Sequence, residues 1–348
     1  MNLKLSAILL TYQWNAGLVP PPDSYSLHCG SIVSYNVDTE VAAAISAFTQ
    51  QTGEIPPHNP GDWQTLRATI NSSLAIWRGW DTGNYDQVQT TNFSVTVKDG
   101  SKIDLRWYVK RGFETRSAIV YAHGGGMIAG SLDLYDPVVK KYVMESGVPF
   151  LAVNYRLAPE ARDDSLAQDV FASLKWLVDN CGRLNVDATR IGLMGDSAGG
   201  GIAAGCAILA RESGIPIARQ ILIYPMLDDR NLTAIPLLEP FVGWNWDKNF
   251  TGWASVLGDK VATHSVSPIV APARVRDVEG LATAYVEVGE LDIFRGESVA
   301  YAQRLMSASI PTELHVHPGA PHVFDRLAPA SSLARRAFAD RLRVIRSL

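Results

Sequence analysis

The stretch from Arg190 to Ala210 constrains this chain most. An apolar run, Ile191 to Met194, stops at Gly195, and a run of small and apolar residues starts just after Ser197. The pattern reads as a strand, a very tight turn and a helix, with Ser197 at the apex. Gly195 and Gly199 stand two residues before and two after it. They remove the side chains that would collide where strand and helix cross so closely. Such a turn holds Ser197 in a strained backbone conformation with its hydroxyl raised over a sheet. The following helix aims free N–H groups at the same spot. A glycine-rich turn that only packs a helix on a sheet has the same pentapeptide. A nucleophile therefore requires a base, an acid and an oxyanion site elsewhere in the chain.

The candidates occur in order along the sequence. A short strand, Ala118 to Ala122, ends in His123-Gly124-Gly125-Gly126. Consecutive glycines let backbone N–H groups approach a ligand without side-chain obstruction, and acyl transfer needs such donors for its developing oxyanion. Gly124, Gly125 and the N–H of Ala198 are assigned that role, and His123 is read as a structural hydrogen-bonding residue. Among the seven histidines, His322 lies in a loop just after the last expected strand, where ligand chemistry sits in sheets of this kind. His317, at the end of that strand, is its rival; His315 and His317 are read as structural. Asp292 follows the preceding expected strand and is the candidate carboxylate to orient the base. Glu290 and the Asp228-Asp229 pair are its competitors.

The rest of the chain supplies a scaffold. Residues 1–90 read as a mainly helical N-terminal cap region, with helices over Val41 to Phe48 and Trp63 to Trp77 and proline breaks at Pro20 to Pro22 and Pro56-Pro57. Residues 91–227 and 282–348 read as the core. It opens with a β-hairpin about Asp99-Gly100 and continues as alternating strands and helices, which argues for a mostly parallel sheet covered on both faces. Residues 228–281 break that rhythm. They carry Phe241, Trp244, Trp246, Phe250 and Trp253 and read as a cap insertion joined in space to the N-terminal region. These aromatics are read as cap core, with pocket lining as the alternative. The arginines of the final helix (335, 336, 341, 343 and 346) are read as a solvated face.

Charge and cysteine content exclude several classes. With 31 basic and 35 acidic residues, no region is basic enough for a nucleic-acid or anionic-membrane partner. Cys29, Cys181 and Cys206 are scattered, with no Cys/His spacing that suits zinc, and are read as idle thiols in a reducing compartment, a Cys29–Cys181 bridge being the alternative. No apolar run reaches the ~18 residues of a membrane span. Met1 to Tyr12 is read as a cap helix rather than a signal peptide, so a cytoplasmic location is expected over secretion.

With these residues placed, the chain resembles the hormone-sensitive-lipase-like family of α/β-hydrolase carboxylesterases. The matching pieces are His123 to Gly126, Tyr155-Arg-Leu-Ala-Pro-Glu160, Gly195 to Gly200, Gly289 to Asp292 and the His322 loop. The resemblance implies an α/β-hydrolase fold with an eight-stranded sheet and a helical cap, and ester hydrolysis without cofactor or metal. It carries over catalytic roles for Ser197, Asp292 and His322, and oxyanion roles for Gly124, Gly125 and Ala198. Tyr155 to Glu160 is matched as a structural motif with no chemistry assigned. The run Ile293 to Gly296 departs from the family pattern and is expected to affect loop packing more than the acid. The expected partner is a small-molecule ester of small or medium acyl length, and a homodimer is left open. The alternatives are a silent ligand-binding relative, an amidase or peptidase, and a lactonase using the same residues.

Overall fold

The computed structural model describes residues 35–52, 58–112 and 116–348. The expected helix over Met1 to Tyr12, and Cys29 with its alternative bridge, lie outside the described residues. Two helices come first, α1 (Thr39–Thr52) and α2 (Trp63–Trp80). The carboxylate of Asp62 caps α2 by accepting from the Thr65 amide at 3.0 Å, which satisfies one of the N–H groups every helix start leaves unpaired. The alternating stretches then pair as the hairpin β1 (Val88–Thr96) and β2 (Lys102–Lys110), with Thr96 opposite Lys102. β1 starts at Val88, three residues before the expected boundary at 91.

The α/β rhythm follows: β3 (Ala118–Ala122), α3 (Leu132–Ser146), β4 (Phe150–Val153), α4 (Ser165–Asp179) and a short α5 (Cys181–Leu184). Next come β5 (Ile191–Asp196), α6 (Ala198–Glu212), β6 (Arg219–Ile223), α7 (Trp246–Leu257), β7 (Ala284–Leu291), α8 (Arg295–Ser307) and β8 (Thr312–Pro321). The chain closes with α9 (Phe324–Leu327) and α10 (Ser332–Arg346). All eight strands form one sheet in the order β1-β2-β4-β3-β5-β6-β7-β8. β1 with β2 and β2 with β4 are antiparallel, and every later pair is parallel. Every residue of β3, β4 and β5 is buried, as parallel strands covered on both faces require.

α6 is a poor helix by propensity. Gly199, Gly200, Gly201 and Gly205 each cost about 1 kcal/mol against alanine. The compensation is close packing, since residues 198 to 210 are buried throughout. A Cβ on Gly199 would stand 2.1 Å from the Ala122 carbonyl oxygen, and one on Gly195 would stand 2.1 Å from the Gly199 carbonyl oxygen. Only backbone fits where α6 crosses β3 and β5.

The segment 228–281 carries α7. Within it Trp244, Trp246 and Trp253 are buried and Phe250 is exposed. It meets the N-terminal segment at Thr251, whose hydroxyl oxygen lies 3.0 Å from His58 Nε2 and accepts from the Gly61 amide at 2.9 Å. Among the described residues no helix is long and apolar enough to cross a membrane.

α10 corrects one expectation. Leu333, Ala337, Leu342 and Ile345 face inward as expected, but Arg341 does not belong to a solvated face: it is 2% exposed. Its guanidinium donates from Nε to Glu287 Oε1 at 2.9 Å, and from Nη1 to Asp325 Oδ2 at 2.5 Å and to the Tyr142 hydroxyl at 3.0 Å. One buried and one largely buried carboxylate on other elements demand a cation between them, and that demand overrides arginine's preference for water.

Candidate active site

β5, β7 and β8 deliver three side chains to one end of the sheet. Ser197 follows β5 with φ 56° and ψ −123°, Asp292 follows β7 and His322 follows β8. The serine conformation is one L-residues rarely adopt, held by the glycine-lined crossing and by a bond from its amide to the Ile223 carbonyl at 2.8 Å. Its hydroxyl lies 3.0 Å from His322 Nε2. His322 Nδ1 lies 2.6 Å from Asp292 Oδ2. A carboxylate can only accept, so Nδ1 carries the proton and Nε2 presents its lone pair to the serine hydroxyl. All three residues are buried, and the Phe294 amide donates to Asp292 Oδ1 at 2.9 Å to fix the carboxylate.

The rival residues are engaged elsewhere. Glu290 accepts from the Gly319 amide at 2.9 Å, Asp228 pairs with Arg230 and Asp229 with Arg274. His317 Nε2 stands 3.8 Å from Glu287, and its ring packs on Phe324. The departing run after Asp292 touches the site directly. The Phe294 ring stands edge-on to His322, with centroids 5.1 Å apart, besides the hydrogen bond its backbone N–H donates to Asp292.

The glycine loop turns beside the serine. Gly125 and Gly126 line a cavity together with Ser197 and His322. Gly125 has φ 129°, and a Cβ there would stand 2.1 Å from the Ala129 carbonyl oxygen. Among the described residues none of the N–H groups of Gly124, Gly125 and Ala198 donates in a turn or loop hydrogen bond. Ala198 opens α6, where the helix leaves its N–H groups unused.

Residues 119–326 match the sequence model for the alpha/beta hydrolase fold. The chain belongs to that family. This alpha/beta hydrolase is 30% identical over 302 residues to an ethyl acetate hydrolase of Pseudomonas putida, spanning 85% of this chain and 93% of the relative. A shorter match, 31% over 134 residues, is to the hormone-sensitive lipase of Mus musculus, spanning 38% of this chain and 18% of the lipase. Among solved structures it resembles a bacterial heroin esterase at 31% identity, with a TM-score of 0.80 over 90% of this chain and 98% of that one. The hydrolase thus falls in the hormone-sensitive-lipase-like carboxylesterase family, as its motifs indicate.

The structure gives the Tyr155 to Glu160 motif a task in this hydrolase. The Tyr155 ring stacks on His123 at 4.4 Å, and its hydroxyl donates to the His123 carbonyl at 2.6 Å. His123 Nδ1 donates to the Gly124 carbonyl at 2.8 Å, and burial lowers the imidazole pKa to about 4. His123 is therefore neutral and tethers the glycine loop, as a structural residue would. Arg156 is locked between Asp169 and Asp99. Glu160 pairs with Arg67 of α2, whose guanidinium also donates to the carbonyls of Ile128 at 2.5 Å and Ala158 at 2.6 Å. Arg67 thereby ties α2 to the tail of the glycine loop, a role no local pattern in α2 revealed.

Four apolar side chains form one wall of the cavity, Ile70, Leu74 and Trp77 from α2 and Trp244 from the 228–281 segment. Trp244 is thus a pocket residue, while Trp246 and Trp253 are buried in the core. The lining also includes Tyr135, Asp196, Val323 and Arg326. Val323, directly after His322, sits at φ 55°, a left-handed conformation unusual for a β-branched residue.

Proposed function

We propose that Ser197, His322 and Asp292 are the catalytic relay by which this carboxylic-ester hydrolase turns over small to medium acyl esters. The observation that carries the reading is the continuous hydrogen-bonded line from the Ser197 hydroxyl through His322 to Asp292, at 3.0 and 2.6 Å, beside unused glycine-loop amides.

His322 takes the serine proton as Oγ attacks the ester carbonyl, and Asp292 stabilises the resulting imidazolium. The N–H groups of Gly124, Gly125 and Ala198 receive the oxyanion; removing one such donor typically costs about 3 kcal/mol in the transition state. His322 then protonates the departing alcohol. In the second half-reaction it activates water, which releases the acid from Ser197. The N-terminal region 1–90, through its helices α1 and α2, and the segment 228–281 act as the two halves of a cap, with α2 and Trp244 lining the cavity beside the serine. That lining, and a relative named for ethyl acetate, support esters with short apolar parts. A fluorophosphonate probe is expected to label Ser197 alone, and Ser197→Ala to lower kcat by about a million-fold. Labelling at another residue, or a Ser197→Ala enzyme with near-native turnover, overturns the assignment.

A further inference from the structure

One charged group in the cavity takes no part in the steps above. Arg326 lies on α9, four residues past His322, and lines the cavity with Ser197, Gly125, Tyr135 and Asp196. Its side chain is 12% exposed. The guanidinium stacks over the Tyr135 ring at 4.4 Å, and Nη2 donates to Asp196 Oδ2 at 2.9 Å. Asp196 also accepts from the hydroxyls of Tyr121 and Tyr135. The carboxylate is thus held on three sides, and the arginine is held against it.

A guanidinium carries five N–H donors in a fixed fork. Among the described residues Arg326 Nη2 donates to Asp196, and the guanidinium also bonds the Tyr135 hydroxyl, which leaves the rest of the fork for a ligand. Ile70, Leu74, Trp77 and Trp244, which also line the cavity, carry no acceptor for the remaining donors. A ligand oxygen placed beside the fork can accept from donors that the protein itself does not use. The cavity around Ser197 therefore combines apolar side chains with one charged donor group.

We propose that Arg326 is a specificity-determining residue that selects esters carrying a second, uncharged oxygen acceptor, such as a keto, ester or amide carbonyl, over alkyl esters of the same shape. The proposal rests on Ser197 being the nucleophile. A neutral acceptor is the better partner because Asp196 lines the same cavity and is paired with Arg326. Its charge cancels that of the guanidinium and opposes a second carboxylate, while the N–H dipoles of the fork remain available.

Isosteric esters on each side of the scissile bond test this. On the acyl side ethyl levulinate is compared with ethyl 4-methylpentanoate and with ethyl hydrogen succinate. On the alcohol side 3-oxobutyl acetate is compared with 3-methylbutyl acetate. Initial rates by pH-stat give kcat/KM for the wild type, Arg326→Gln and Arg326→Lys, each checked for its fold by circular dichroism. In at least one pair the wild type is expected to favour the ketone by about 10- to 100-fold, the range of a hydrogen bond from a charged donor. Arg326→Gln, which can still bond Asp196, is expected to bring that ratio close to one, and Arg326→Lys to leave it in between. A merely structural arginine would lower both members of a pair together, so an unchanged ratio in Arg326→Gln overturns the proposal. So does a wild type without ketone preference in either pair, or one that prefers the succinate half-ester to the ketone. If the glutamine variant fails to fold, the wild-type ratios and the lysine variant still decide. A wild type that hydrolyses none of the five esters refutes the Ser197 reading instead.

Discussion

Arg341→Met removes the guanidinium that bridges Glu287 and Asp325, two carboxylates the fold has largely taken out of water. The Glu287 side chain is fully buried and that of Asp325 is 14% exposed. Burial alone pushes both carboxyls up. The charge and hydrogen bonds of Arg341, joined by Arg326 at Asp325 and by His317 at Glu287, outweigh that and hold both below their usual range. Deleting one partner of a buried ionic cluster costs about 3–5 kcal/mol. In a chain of this length each kcal/mol moves Tm by roughly 2 °C, so a fall of about 6–10 °C is expected. The reacting end is affected too. Asp325 is three residues past His322, and Tyr224 donates its hydroxyl to Asp325 at 3.1 Å while its ring stands edge-on to the imidazole at 4.9 Å. A loosened His322 loop should lower kcat about tenfold with a smaller change in KM. The pH dependence has a definite sign. Carboxyls whose pKa is lowered in the fold contribute stability that is present above their unfolded values and lost as pH falls through the folded ones. In the variant they are no longer held low and take up protons earlier. The Tm gap between wild type and variant should therefore narrow as pH falls from 7 towards 5. Calorimetry at several pH values measures this. A loss below about 1 kcal/mol, or a gap independent of pH, refutes the reasoning, and so does failure of the triple change Glu287→Gln, Asp325→Asn, Arg341→Met to regain most of the loss.

Two further predictions concern α2 and α7. Arg67→Ala, which frees α2 from Ile128, Ala158 and Glu160, is expected to lower kcat about tenfold on a short ester while the fluorophosphonate still labels Ser197; steady-state kinetics beside labelling checks it. Lys248 of α7 is buried, donates to the Gly243 carbonyl at 2.7 Å, and has its pKa lowered by burial to about 8. Between pH 8 and the unfolded lysine value the unfolded chain binds more protons, so stability rises with pH across that window, by on the order of 3 kcal/mol. Lys248→Met should therefore be more stable than the wild type at pH 7, with a margin that shrinks towards pH 10 in thermal melts.

The sheet and the order of the site residues were readable because backbone constraints write themselves locally. A crossing with room only for hydrogen at Gly195 and Gly199 dictates glycine, and strands buried on both faces dictate unbroken apolar runs. The position of each candidate after a strand then placed Ser197, Asp292 and His322 at one end of the sheet. What stayed hidden are bonds between residues far apart in the chain. Arg67 and Glu160 are 93 positions apart, and Arg341 and Glu287 are 54. Helix periodicity reports which face is covered and not what covers it. In hindsight α10 held a signal, since Arg341 falls four residues after Ala337 and four before Ile345, on the inward stripe. An arginine on an apolar stripe asks for a buried acid, and Glu287 in the apolar strand β7 is one. The aromatic segment was divided rather than uniform, because Trp244 alone of its tryptophans reaches the cavity.

The Arg67 clamp couples two parts that are usually discussed apart. In the proposed mechanism α2 roofs the substrate and the glycine loop shelters the charged intermediate, and the Arg67 guanidinium ties the one to the tail of the other. An acyl chain too long for the roof cannot lift it without also tugging the amides out of aim. Size discrimination in this enzyme should then surface as slower turnover of substrates that still bind, and a competitive-inhibition survey of non-reactive long-chain ketones would find affinities that outlast the rates.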